Sequence, residues 1–399
     1  MKEPENNGED GDFATRGIHS GENTCSRTGA LKAPVYYASS FEFEGVEDGA
    51  QKCEDFHAGY CYTRQSNPSQ TVFEGKIAEL EEAEAALAFA TGTGAVSGLL
   101  LHHLTPGDHV IADKTTYSST HYVLENLLGK FGVNTSFIDT GDLEKVEEAI
   151  REETELIYIE SPANPTIKII DIEGIADLGR KHSILTAIDS TFATPYLQSP
   201  LNLGMDVVIH SATKYIGGHS DAMGGVLAGS QKMMDNIRHD TLKNIGAVIS
   251  PRNAYIFSRG LETLEVRMKK HCRSARKIAG FFKEHEKIKN VNYPGLESHP
   301  GHENARKQMT DYGGMISFEV KGGLEAGKKV MENVELCTLA VDLGHVKTLI
   351  EHPASMTHWY VDREQRLESG ITDGLVRISI GLEDAENIRE DLEQALASL

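Results

Sequence analysis

Apolar and polar positions alternate along this chain in two rhythms. A Glu- and Ala-rich tract from Phe73 to Leu87 reads as helix, and beyond it short apolar runs take turns with amphipathic segments. His109 to Asp113, Leu156 to Glu160 and Ile184 to Asp189 read as buried strands, with Leu143, Val146 and Ile150 marking one helix face among them. Asp206 to His210 and Gly225 to Gly229 continue the series. Strands that are apolar on both faces and separated by helices predict an α/β unit with a mostly parallel sheet.

After Pro251 the rhythm changes. A long helical stretch to about Lys283 leads into strands near Gly314 to Val320, Leu336 to Val341 and Leu375 to Ile380. Ile388, Leu392, Leu396 and Leu399 recur at helical spacing behind Asp384 and close the chain. The expected division is a large domain over residues 66–255 and a smaller C-terminal α+β domain over 256–399, with a segment 1–65 in front.

Composition narrows the function classes. In 399 residues there are 39 Lys and Arg against 60 Asp and Glu, a net charge of −21, so a phosphate-tracking nucleic-acid surface is not expected. The first residues are acidic and polar, unlike a signal peptide, and the uncharged stretch Ala85 to Leu101 is broken by Thr91 to Gly94. The reading is a cytoplasmic protein with no membrane span. Five cysteines, at 25, 53, 61, 272 and 337, are too sparse for a disulfide framework, so Cys53 and Cys61 are expected as plain thiols. His299 and His302 flank a Pro-Gly turn rather than share a helix face, and no metal is expected there.

Ligands of open α/β sheets sit beyond the carboxyl ends of the strands. Asp189 closes one strand, and Ser211, Thr213 and Lys214 follow another, ahead of Gly217 and Gly218, which let backbone approach a ligand closely. Upstream, Thr91 to Gly94 form a Gly-rich turn before a helix, which aims backbone N–H groups and the positive end of a dipole at an anion. A phosphate cradle, a lysine amine and an acid for a pyridinium nitrogen together match the needs of pyridoxal phosphate.

Four separated motifs then resemble a known family. Tyr62 to Pro68, Ser161 to Pro165, Ser211 to Tyr215 and Glu351 to His358 are similar, in order, to the Cys/Met-metabolism family of pyridoxal-phosphate enzymes. The resemblance runs from about Thr15 to the C-terminus and implies the aspartate-aminotransferase fold (fold type I), pyridoxal 5'-phosphate as cofactor, and a homotetramer built as a dimer of active dimers. It also implies that Lys214 carries the cofactor as a Schiff base and moves the Cα proton, and that Asp189 pairs with the pyridine nitrogen. Ser211, Thr213, Gly92 and Thr93 would hold the phosphate, joined by Tyr62 and Arg64 on an N-terminal arm, residues 1–65, that reaches the neighbouring subunit. Tyr117 would stack on the ring and act as an acid, Asn164 would touch the cofactor hydroxyl and the substrate, and Arg377 would grip the substrate carboxylate.

Within the family, the tract from Glu351 to His358 resembles methionine γ-lyases and sulfhydrylases most. The expected reaction is γ-elimination of L-methionine or a related sulfur amino acid to a thiol, ammonia and 2-oxobutyrate. The alternatives are cystathionine γ-lyase or γ-synthase chemistry, a homoserine-ester sulfhydrylase, and, remotely, a non-catalytic protein on the same scaffold. Cys61 and Val341 replace two acids that cystathionine γ-lyases carry, Ser119 stands where methionine γ-lyases place cysteine, and Asp342 stands where the family has serine. Cys61, Ser119 and Asp342 are accordingly expected near the substrate, with the Asp342 carboxylate paired to a cation, either the substrate's amino group or Arg377.

Overall fold

A computed structural model describes residues 12–21, 25 and 28–399. The large sheet contains β1 (Ala85–Phe89), β2 (His109–Asp113), β3 (Asn134–Ile138), β4 (Thr154–Glu160), β5 (Leu185–Asp189), β6 (Val207–His210) and β7 (Gly225–Gly229). Its order is β1-β7-β6-β5-β4-β2-β3, parallel from β6 through β3 and antiparallel at both edges of β7. Successive residues of β4 explain why the sheet must be covered twice. Leu156 and Tyr158 enter a cluster with Leu87, Leu99 and Ile209, while Ile157 and Ile159 enter another with Ile175, Ile188 and Val208.

Sequence periodicity misplaces one boundary. The tract expected as a single helix over Phe73 to Leu87 is a helix over Pro68–Glu81 followed by β1. Asn67 caps that helix by accepting from Ser69 N at 2.9 Å, with Pro68 in the first turn, which sets its start five residues earlier than the apolar period. At the other end Glu82 adopts a left-handed conformation and releases the chain into β1.

The second sheet contains β8 (Ile288–Asn292), β9 (Met315–Val320), β10 (Thr338–Leu339), β11 (Leu349–Glu351) and β12 (Leu375–Ser379), in the order β10-β11-β12-β9-β8. The helices Leu264–Glu284 and Ala385–Ala397 contribute Phe282, Ile388 and Leu392 to the core beside Phe318 and Ile378. The helical stretch expected after Pro251 is two helices, Pro251–Leu261 and Leu264–Glu284. The first of these puts Phe257 against Phe73 of the Pro68–Glu81 helix, with ring centroids 5.5 Å apart.

One expectation is overturned. Cys53 and Cys61 are joined in a disulfide, with Cα atoms 5.4 Å apart. The helix Val46–Glu54 ends at Glu54, and Asp55 then accepts from His57 N at 2.9 Å. That turn folds the chain back and sets Cys61 opposite Cys53, which spacing along the sequence does not reveal. Among the described residues, no helix is long and apolar enough to cross a membrane.

Candidate active site

Three neighbouring strands deliver their last residues to one edge. Glu160 of β4 pairs in register with Asp189 of β5, which pairs with Ile209 of β6, and the chain leaves β6 through His210 into Ser211. Beyond this edge lies a cavity of about 310 Å³. Thr91, Gly92, Thr93, Ser211, Thr213, Asp189, Lys214, Tyr117, Asn164 and Arg377 are among the residues that line it.

The helix Gly92–His103 begins at the cavity. Thr91 caps it, accepting from Gly94 N at 2.9 Å, and the first-turn N–H groups of Gly92 and Thr93 stay available to an anion. A Cβ on Gly92 would lie 2.9 Å from Ser211 Cβ, so only glycine lets this turn sit on the Ser211 segment. Asp189 accepts from Thr191 N at 3.0 Å and from Thr191 Oγ1 at 2.5 Å. Burial pushes its carboxyl above the ordinary aspartate range, against those bonds and the charge of His210. A cationic partner in the cavity would relieve that cost. A glycine turn, hydroxyls, an amine and a buried acid around one cavity are the donor set that pyridoxal phosphate requires, so the residues present fit it.

Arg377 comes from β12 and is 3% exposed. It donates to Asn164 Oδ1 at 2.8 Å and to the carbonyl oxygens of Val341 and Asp342, and it pairs with Glu351 at 3.1 Å. Burial lowers the guanidinium's proton affinity and raises that of Glu351, each offset by the other's charge. Asp342 does pair with a cation, though not the one expected: its carboxylate meets Lys214 Nζ at 2.5 Å and Ser220 Oγ at 2.7 Å. Arg377 donates to the backbone oxygen of Asp342 rather than to its carboxylate. Burial raises the Asp342 carboxyl, but Lys214 and Ser220 outweigh it and hold the group below the ordinary range.

The chain belongs to the Cys/Met metabolism family of PLP-dependent enzymes, which it matches over residues 14–397. An L-methionine gamma-lyase of Fusobacterium nucleatum is 49% identical over 389 residues, covering 97% of this chain and 98% of the relative. A cystathionine gamma-lyase of Bacillus subtilis is 42% identical over 382 residues, covering 96% and 98%. The crystal structure of metB from Corynebacterium glutamicum superposes with a TM-score of 0.92 at 40% identity, covering 98% of each chain. The two-sheet α/β architecture is therefore fold type I.

Not every family-motif residue lines the Lys214 cavity. Ser119 lines an adjoining cavity of about 620 Å³ that shares Thr93 and Asn164 with the first. Tyr62 and Arg64 lie elsewhere on the surface of the same chain: Tyr62 is 44% exposed, and Arg64 stacks 5.5 Å above its ring and donates to Lys243 O at 2.7 Å. Cys61 sits beside them in its disulfide. Sequence reasoning passed over Glu160 and Glu351. Glu160 ends a parallel strand just as Asp189 does, so the strand-end rule that singled out Asp189 applies to it equally.

Proposed function

We propose that this chain is a PLP-dependent carbon–sulfur lyase acting on L-methionine or a closely related thioether amino acid. Water is consumed, and a thiol, ammonia and 2-oxobutyrate are released. The observation that carries the reading is the single cavity that gathers Lys214, Asp189, the Gly92 helix end and Arg377. When bound, the cofactor supplies an electron sink for charge developing at the substrate carbons.

The chain's own residues do the rest. Lys214 would hold the cofactor, and its amine would move protons at Cα and Cβ of the substrate. Arg377 offers a planar fork to the substrate carboxylate, with Asn164 orienting it. Tyr117, at the cavity wall, gives a proton to the departing sulfur. Val341 lines the cavity with an apolar side chain, Asp342 is engaged by Lys214, both oxygens of Glu160 accept backbone N–H groups, and Asp189 would be taken by the cofactor, so few free acids remain for a distal ammonium. That favours methionine over cystathionine.

The arm over residues 1–65 would carry Tyr62, Arg64 and Cys61 to the neighbouring subunit's site, in a cytoplasmic homotetramer of two active dimers. Their position away from the Lys214 cavity of their own chain supports this. The division into a large domain over residues 66–255 and a smaller one over 256–399 is part of the same proposal. The test is to incubate the protein separately with methionine, cystathionine, cysteine, and O-acetylhomoserine plus a thiol, and to assay 2-oxo acid, thiol and new amino acid. Methionine should give 2-oxobutyrate and thiol fastest. Replacement product without 2-oxo acid would make the chain a sulfhydrylase or synthase, and inertness toward all four would sink the enzymatic reading.

A further inference from the structure

Glu160 is 5% exposed, and its two oxygens accept from two different backbone N–H groups. Oε2 takes Tyr117 N at 2.9 Å, and Oε1 takes Asn164 N at 2.7 Å. Asn164 Oδ1 in turn accepts from Arg377 Nη1 at 2.8 Å. These three partners come from separate parts of the chain: the segment after β2, the turn after β4, and β12 of the second sheet.

We infer that Glu160 is a positioning residue. One carboxylate ties the segment bearing Tyr117 to the turn bearing Asn164 and, through Asn164, sets the guanidinium of Arg377. Glu160 lines the cavity, but both of its oxygens are engaged by backbone; its role is to fix the spacing between the group that would protonate the leaving sulfur and the group that would hold the carboxylate. A carboxyl suits the task because each of its two oxygens can accept from one N–H. Burial and the charge of neighbouring Asp189 push the group above the ordinary glutamate range, against the two backbone bonds, which favour the ionised form. Glutamine could satisfy one N–H with its oxygen and would turn its NH₂ toward the other. Aspartate, one methylene shorter, could not span both from the same backbone position.

The inference rests on the functional reading of Tyr117, Asn164 and Arg377, and the test separates the two. In the cofactor-loaded enzyme, hydrogen exchange at the Tyr117 and Asn164 amides should be as slow as in the strand interiors. In Glu160→Gln, at least one should exchange about tenfold faster or more. Equilibrium binding of L-norleucine, which keeps methionine's carboxylate but has no sulfur to eliminate, should weaken about tenfold in Glu160→Gln. In an Asn164→Ala protein the same substitution should weaken it only about threefold or less, because the two residues act in series. Equal penalties in the two backgrounds, or unchanged exchange at both amides, would overturn the role. If Glu160→Gln does not fold, exchange in the unaltered chain decides, and rapid exchange at either amide overturns it. Failure of Lys214 to bind the cofactor would refute the functional reading, while the exchange result would still judge the tether.

Discussion

Asp342 places a carboxylate against Lys214, the residue expected to carry the cofactor and shuttle protons. Serine, which the resemblance leads one to expect at that position, would offer a hydroxyl and no charge. Glu351, whose carboxyl also feels the charge of Lys214, is committed to Arg377. Asp342→Ser should therefore change how Lys214 is held while leaving the Arg377 and Glu351 pair intact. The expected outcome is a shift of roughly tenfold in the ratio of kcat/KM for methionine to that for O-acetylhomoserine, equivalent to about 1.4 kcal/mol. Unaltered ratios among methionine, cystathionine and O-acetylhomoserine would mark the aspartate as inconsequential.

Two elements carry the next predictions. At the Gly92–His103 helix, Gly92→Ala would force a methyl to within 2.9 Å of Ser211 Cβ, and overpacking of this kind costs about 1–3 kcal/mol. Cofactor affinity, measured by equilibrium dialysis, should fall, with a smaller loss at Gly94, where a Cβ would meet Thr91 Oγ1 at 3.0 Å. In the helix Leu264–Glu284, His271 is fully buried, its ring N–H donating to Ile380 O at 2.6 Å, and burial lowers its pKa to about 4. The unfolded chain takes a proton near 6.5, so neutral His271 favours folding above that pH, and the contribution is lost as pH falls from about 6.5 toward 4. His299 and His358, also lowered by burial to about 4, act in the same sense. Tm should decline on acidification through that window, and His271→Gln should flatten the slope by up to about 1.4 kcal/mol per pH unit. An unchanged slope would place the proton uptake elsewhere. The elements themselves were legible wherever burial is continuous: β2, β4, β5, β6 and β7 fall on the apolar runs. The start of the Pro68–Glu81 helix was not, because the Asn67 cap rather than apolar periodicity sets it. Lys214, Asp189 and Gly92 could be read from strand-end position and motif. The Asp342 to Lys214 contact joins residues 128 apart, and no local pattern encodes it.

For the whole molecule, the position of Tyr62 and Arg64 off the Lys214 cavity makes site sharing testable. Arg64→Ala and Lys214→Ala proteins, each nearly inactive, should regain partial turnover when co-assembled, because one mixed site then carries neither lesion. Absence of recovery in verified mixed oligomers would place both residues in a single chain's site. The order of the large sheet has a consequence during synthesis. In the large sheet β1 has β7 as its one neighbouring strand, and the first residue of β7, Gly225, lies 136 positions after Phe89. At about 5–20 residues per second, a ribosome needs roughly 7–30 s to make that intervening length. Through that interval the nascent chain carries β1 with the Pro68–Glu81 helix available to cover Ala86 and Ala88 but with no strand beside it, so its backbone edge stays open until β7 emerges.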